Sequence, residues 1–581
     1  MQNFVYLIGD HGSSRAAVVD PVGNIPAVLN IVRAWNKQIT AVLLSHRRDR
    51  AAAAYTPCSP IEAMSCIVLS YLSRPAASPE GCAYMIELPQ LITSGIPGLD
   101  KVLGGGLRPG RLYFVEGDSG TGKTTLGMQF VLEGVRQGQS SVYVSLAETV
   151  TEIKTLAASH GWSLDGVRLL DIFAGEGIES TYTLFHPGEV ELGERIGTIM
   201  QELEALPPGR LVVDTLSALR VLSGEPGHFR KYIKMLQESL VQRGWTGLVL
   251  DEPAGRELLH PRSLAWGLIK LEQQVGDYGP EHRRLCITKL RGQPYAGGYH
   301  DFRIHTGSIE VYPRLSGSEG FARFALERIS SGLPELDKLL GGGIARGTSV
   351  AIIGPPGTGK STLATHYALQ ASRRGRRAII YAFDEAPSMF QHRAASQGMA
   401  LDKAMASGHI VLRKAEPARL TSGEFAHEIS ERVQQDDVEL IVIDSMNGYL
   451  QAMPDERYLN LHLHDLLAFL SGRRVVTLCT LSMRGAFGGF SKFPIDLTYI
   501  ADTVILQRFF EAFGELRYAL SVVKKRDGGH ERTIREYRIG SSGLQLGEPL
   551  QDFVGLFSGG PSYVGLPGAL LRAKHDEFAK R

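Results

Sequence analysis

Two kinds of apolar patterning alternate along most of this chain. Short, nearly continuous apolar runs occur at 111–117 (RLYFVEG), 141–147 (SVYVSLA), 210–216 (RLVVDTL) and 247–253 (GLVLDEP). They return at 349–355 (SVAIIGP), 378–384 (AIIYAFD), 440–446 (LIVIDSM) and 475–481 (VVTLCTL). A run that is apolar at consecutive positions suits a strand buried on both faces. Between the runs lie stretches of helical spacing, such as KTTLGMQFVLEGVRQG at 123–138. Buried strands alternating with helices predict an α/β fold with mostly parallel sheets covered on both sides.

The whole pattern occurs twice. One copy opens ITSGIPGLDKVLGGGLRPGRLYFVEGDSGTGKTT and the other RISSGLPELDKLLGGGIARGTSVAIIGPPGTGKST. The lysines near their ends are offset by 360 − 123 = 237 residues. Asp214 and Asp444, closing later apolar runs, are offset by 444 − 214 = 230, and the basic pairs starting at Lys289 and Lys524 by 524 − 289 = 235. Three landmarks in one order at nearly one offset mean a duplicated domain, with a period far too long for a solenoid. The repeats are placed at 88–325 and 326–558, with an N-terminal extension at 1–84 and a C-terminal tail at 559–581.

Composition narrows the partners. The chain has 62 basic and 61 acidic residues among 581, a net charge of +1, which offers no overall electrostatic pull toward nucleic acid. The five cysteines, Cys58, Cys66, Cys82, Cys286 and Cys479, are odd in number and show no CxxC spacing. Neither a disulfide framework nor a zinc site is expected, and the reducing cytoplasm is the expected location. No apolar run reaches the roughly 18 residues a membrane span needs.

The candidate chemistry lies where strands run into helices. Gly117–Thr124 (GDSGTGKT) and Gly354–Ser361 (GPPGTGKS) both fit G-x-x-x-x-G-K-[ST]. Gly117, Gly120, Thr121, Gly122 and their counterparts Gly354, Gly357, Thr358, Gly359 would curl backbone N–H groups around phosphate oxygens at a helix N-terminus. Lys123 and Lys360 would reach the β- and γ-phosphates of ATP, with Thr125 and Thr362 completing the loops. Thr124 and Ser361 would place hydroxyls on Mg²⁺, and Asp214 and Asp444 would hold its hydration shell. The alternative for each Asp is a turn or helix cap. The strand after each P-loop helix ends in carboxylates that could orient or deprotonate water: Asp384 and Glu385 in the second repeat, but only Glu148, beside Ala147, in the first. A helix N-cap cluster is the alternative there.

On these residues the chain resembles the KaiC family, RecA-type P-loop ATPases that include the ATPase, autokinase and autophosphatase of the cyanobacterial clock. The resemblance covers about residues 85–560. It rests on SGIPGLDKVLGGGL and SGLPELDKLLGGGI, the P-loops, the two Asp-ended strands, TKLRG at 288–292 and VKKRDG at 523–528. It implies two tandem RecA-like domains in a homo-oligomeric ring, a hexamer, with ATP and Mg²⁺ bound. It further implies that Lys289, Leu290 and Arg291, and Lys524, Lys525 and Arg526, serve a neighbouring subunit's nucleotide. Ser159 joins the nucleotide-binding set by the same resemblance. Where the clock protein phosphorylates adjacent Ser and Thr, this chain has Thr498-Tyr499, so Thr498 is a candidate phosphosite and a two-site cycle is not expected.

Residues 1–84 belong to neither repeat. The first 50 resemble the truncated start of a metallo-β-lactamase-fold hydrolase, but the H-x-H-x-D-H motif reads His46-Arg47-Arg48-Asp49-Arg50, and arginine cannot ligate a metal. A degenerate remnant without zinc is expected. The leading functional reading is an oligomeric ATPase with a signalling or scaffolding role and candidate Ser/Thr autokinase activity, acting with protein partners. The alternatives are a RecA/RadA-like DNA recombination or repair ATPase and a nucleotide-binding interaction module.

Overall fold

The computed structural model describes residues 90–172, 187–223, 226–253, 261–275, 281–315, 327–416, 420–451, 456–483, 497–512, 514–541, 543–557 and 562–564, and the backbone of 6–9, 15–19 and 38–43. Residues 1–88 and 89–581 form separate compact units. In the first, Tyr6–Gly9 pairs antiparallel with Arg15–Val19, which pairs parallel with Gln38–Leu43. His46 and its arginine neighbours lie outside the described residues.

The second unit holds two nine-stranded sheets. From edge to edge the first runs Ser308–Tyr312, Tyr299–His305, His282–Leu290, Gly267–Gln274, Leu112–Glu116, Thr246–Asp251, Gly209–Asp214, Ser140–Ser145 and Val167–Asp171. The second mirrors it: Gly543–Pro549, Arg535–Gly540, Glu515–Lys525, Thr503–Ala512, Ser349–Gly354, Val476–Ser482, Val438–Asp444, Arg377–Ala382 and Ile410–Lys414. In each, the last six strands are parallel and the first three extend them antiparallel. The apolar runs picked out by pattern are the central parallel strands, and Leu112–Glu116 and Ser349–Gly354 are buried at every position. Helices cover both faces of each sheet, leaving one apolar cluster on either side. Among the described residues no helix is long and apolar enough to cross a membrane.

The glycine-rich stretch before each P-loop has a structural task. Asp100 accepts from the Ser94 N–H at 2.8 Å, and Asp337 accepts from the Ser331 N–H at 2.8 Å, so each ties off the same turn. Gly104 and Gly341 adopt φ of +73° and +64°, and a Cβ on either would lie 2.2 Å from a carbonyl oxygen, that of Pro294 or Gly529. Only glycine lets the later hairpin seat against this loop.

The repeats meet through polar contacts and through Leu315, which packs against an apolar cluster of the second repeat. Asp301 accepts from the Gly423 N–H at 2.8 Å, Arg303 pairs with Glu424 at 2.9 Å, and Arg314 pairs with Asp465 at 2.9 Å.

Candidate nucleotide sites

Each site starts where the central strand ends. Leu112–Glu116 feeds the loop 117–122 and then the helix Lys123–Arg136; Ser349–Gly354 feeds its own loop and the helix Lys360–Arg373. The residue before each helix is a left-handed glycine, Gly122 with φ +96° and Gly359 with φ +84°. A Cβ there would stand 2.6 Å from Ile304 Cδ1 or 2.2 Å from Ile539 Cδ1, so packing and backbone conformation both demand glycine. The hydroxyls of Thr121 and Thr358 donate to the Asp118 and Pro355 carbonyls at 2.8 and 2.9 Å and close each loop internally. Gly120 and Gly357 also have positive φ, while Thr125 and Thr362 are buried one turn into the helix.

The two lysines lie folded into their loops. Lys123 Nζ donates to Gly117 O at 2.7 Å and Asp118 O at 2.9 Å; Lys360 Nζ donates to Gly354 O at 3.0 Å and Pro355 O at 2.8 Å. Both are buried, at 8% and 7% exposure. Burial pushes the Lys360 ammonium down to about 8, against the opposing charges of Asp444 and Asp384. Burial lowers Lys123 too, opposed first by Glu252 and then by Asp214. A buried ammonium held by carbonyls at a helix N-terminus is a cradle for an anion, and the residues present fit a triphosphate. Thr124 Oγ1 donates to Asp214 Oδ2 at 2.7 Å, so hydroxyl and carboxylate are close enough to share one cation. Tyr143 donates to the same oxygen at 2.6 Å. In the second repeat Asp444 accepts from Thr480 on the adjacent strand, and Ser361 occupies the second position of the P-loop helix. Thr124 with Asp214, and Ser361 with Asp444, are the residues that would hold Mg²⁺, which when bound neutralises charge on the phosphates. The helices Leu216–Ser223 and Met446–Gln451 begin two residues after Asp214 and Asp444.

Beside them come the candidate carboxylates. The Leu146 N–H donates to Asp214 O at 2.6 Å and the Phe383 N–H to Asp444 O at 2.7 Å, which brings the next residues of each strand end alongside the Asp. Ala147 and Asp384 are therefore equivalent, as are Glu148 and Glu385. Asp384 accepts from Ser445. Glu385 is gripped by Arg393, with Nη2 at 2.8 Å and Nε at 3.4 Å. Glu148 is pushed above the usual carboxylate range by burial and by the charges of Asp214 and Glu152. Helix capping is done by others: Thr149 and Glu152 form a capping box in the first repeat, and Ala386 precedes Pro387 in the second.

The basic pairs lie on their own chain. Lys289 donates to Arg262 O at 2.7 Å and Ser263 O at 3.2 Å, and Arg291 to Ser263 O at 3.0 Å, with Leu290 between them pairing in the sheet. Lys524 donates to Thr498 O at 2.6 Å and Ala501 O at 2.7 Å, and Arg526 to Tyr499 O at 2.7 Å. Lys525, one residue out of phase along the strand, points the other way to Leu340 O and Asp527. Thr498 and Tyr499 are exposed on the short helix Leu497–Ile500. Ser159 ends the helix Val150–Ser159 with its hydroxyl on Leu156 O, about 15 Å along the axis from the start of that helix. The pattern reading missed Glu252, whose Oε1 is 3.8 Å from Lys123 Nζ. It also missed Arg220, which pairs with the buried Asp251.

Two loop-cradled lysines at the C-terminal edges of two parallel sheets define a tandem P-loop nucleotide-binding protein. The KaiC ATPase family model matches residues 92–316 and again 329–551. Similar curated proteins include circadian clock protein KaiC3 of Synechocystis sp., 25% identical over 488 residues, which span 81% of this chain and 95% of that one. The circadian clock oscillator proteins KaiC of Acaryochloris marina and Prochlorococcus marinus are each 26% identical over 489 residues, covering 83% and 82% of this chain and 93% and 96% of theirs. The chain belongs to the KaiC ATPase family.

Proposed function

We propose that this protein binds ATP with Mg²⁺ at both P-loops, hydrolyses it mainly in the second repeat, and works as a homo-oligomeric ring in signalling or scaffolding. The observation that carries the reading is the difference at one equivalent position: Asp384 beside the second Asp-ended strand, Ala147 beside the first. Both sites keep their lysine, hydroxyl and Asp, so both retain the means to bind. A group that orients or deprotonates the attacking water is worth about 10²- to 10⁴-fold, and at the strand end beside the Asp the second repeat has two carboxylates where the first has one.

In the ring, Lys289, Arg291, Lys524 and Arg526 exchange their carbonyl partners for the γ-phosphate held by the adjacent subunit, where a cation stabilises developing charge. The exposure of Thr498, whose carbonyl Lys524 holds, supports it as the site of autophosphorylation. Steady-state turnover of single variants of the full chain tests the division of labour. Lys360→Ala removes most ATPase activity, whereas Lys123→Ala keeps most of it and weakens assembly. The opposite outcome refutes the assignment.

A further inference from the structure

The carboxylate missing at Ala147 has a counterpart on the next strand. Leu112–Glu116 pairs in register with Gly247–Asp251, which sets Glu252 opposite Gly117, the first residue of the P-loop. In the second repeat Gly354 is paired with Ser482. At this shared position the first repeat has a carboxylate and the second a hydroxyl, while at the position of Ala147 and Asp384 the first has a methyl group and the second a carboxylate. The first site thus has Glu148 and Glu252 where the second has Asp384 and Glu385. In the first repeat they are split: Glu148 feels the charge of Asp214, and Glu252 stands 3.8 Å from Lys123 Nζ.

We propose that Glu252 is a catalytic carboxylate of the first repeat, acting on the water that attacks the γ-phosphate. The inference rests on the ATPase reading above. Its backbone is well fixed: the Gly117 N–H donates to Asp251 O at 3.2 Å, and Asp251, 1% exposed, is paired with Arg220 and accepts from the Glu252 N–H at 3.0 Å. Asp251 is therefore occupied, while the Glu252 side chain is about half exposed at the mouth of the loop. An ion pair of that exposure adds little to stability, so the lysine is readily given up to phosphate. In the step, the water oxygen bonds to the γ-phosphorus and the bond from phosphorus to the β–γ bridging oxygen breaks. Its electron pair leaves with ADP. The water proton passes to the Glu252 carboxylate and then to solvent, leaving inorganic phosphate.

The test uses the full chain carrying Lys360→Ala, so that the first repeat is read alone, with and without Glu252→Gln. Isothermal titration with ADP and with the imido analogue of ATP gives binding, and single-turnover release of labelled phosphate from ATP gives chemistry. Glu252→Gln removes one negative charge near the γ-phosphate. The preference for the ATP analogue over ADP therefore rises about fivefold, the size of a unit-charge repulsion at about 4 Å in water. Single turnover falls by a factor of ten or more. Turnover and nucleotide preference both unchanged would make Glu252 a solvated surface acid and overturn the proposal. So would equal loss of affinity for both nucleotides, which marks a structural role. If the Lys360→Ala chain binds nucleotide but turns none over, this inference falls while the ATPase reading of the second repeat stands. If it binds none, the nucleotide-site reading of the first repeat falls with it.

Discussion

Gly359→Ala is a measurable test of how the P-loop is built. The residue sits at φ +84°, and a Cβ would lie 2.2 Å from Ile539 Cδ1. An L-residue in the left-handed region costs about 1–2 kcal/mol. Overpacking against a side-chain terminus costs about 1–3 kcal/mol more. The expected loss is thus about 2–5 kcal/mol, read as a lower midpoint of chemical denaturation. The two contributions separate by a double-mutant cycle. Ile539→Val removes the clashing methyl and alone costs about 0.5–1.5 kcal/mol. Combined with Gly359→Ala it returns the packing part, so the coupling energy is about 1–3 kcal/mol and the conformational part remains. Nucleotide affinity should recover only in part, because the strained loop still misdirects its N–H groups. Strict additivity of the two substitutions would refute the packing argument, and a Gly359→Ala chain as stable as the parent would refute both halves of it.

Light scattering on the full chain at micromolar concentration should show a ring-sized particle, most simply a hexamer, with ATP and Mg²⁺, and a smaller one after Arg291 and Arg526 are both changed to Ala; a monomer under saturating ATP and Mg²⁺ refutes the ring. Asp214→Asn, measured in the Lys360→Ala chain, should lower ATP affinity about tenfold with Mg²⁺ and hardly at all in excess chelator; equal loss in both conditions would show that Asp214 supports the loop and not the cation.

The parallel core was legible because its signal is local. Consecutive apolar positions and a glycine-rich loop are written into a few neighbouring residues, and Leu112–Glu116 with Gly117–Thr124 shows both. The edge of that parallel core and its antiparallel extension were harder. Gly267–Gln274 and His282–Leu290 mix apolar positions with Lys270, Glu272 and Arg284; Lys270 pairs with Glu272 along one strand at 2.6 Å, and Arg284 with Glu272 across the two at 2.8 Å. Those charges interrupt the consecutive apolar run that marks the central strands. The duties of Asp100 and Asp337 as turn ties depend on a side chain folding back over six residues. Glu252 beside Lys123 depends on the register of two strands separated by more than a hundred residues, which no local pattern encodes. The binding of Glu385 to Arg393 likewise emerges only once the next helix is placed. The metallo-β-lactamase-like histidine lies outside the described residues, while Tyr6–Gly9, Arg15–Val19 and Gln38–Leu43 pair as a sheet.

The strand Tyr299–His305 has two masters. Its side chains alternate, so Ile304 lies beneath Gly122 of the first P-loop while Asp301 and Arg303 hold the Gly423 N–H and Glu424 at the start of the helix Ser422–Gln435. One rigid rod therefore carries the floor of one nucleotide cradle and a handhold on the neighbouring repeat. A tilt of this strand at the first loop would also move the two side chains that hold the end of that helix.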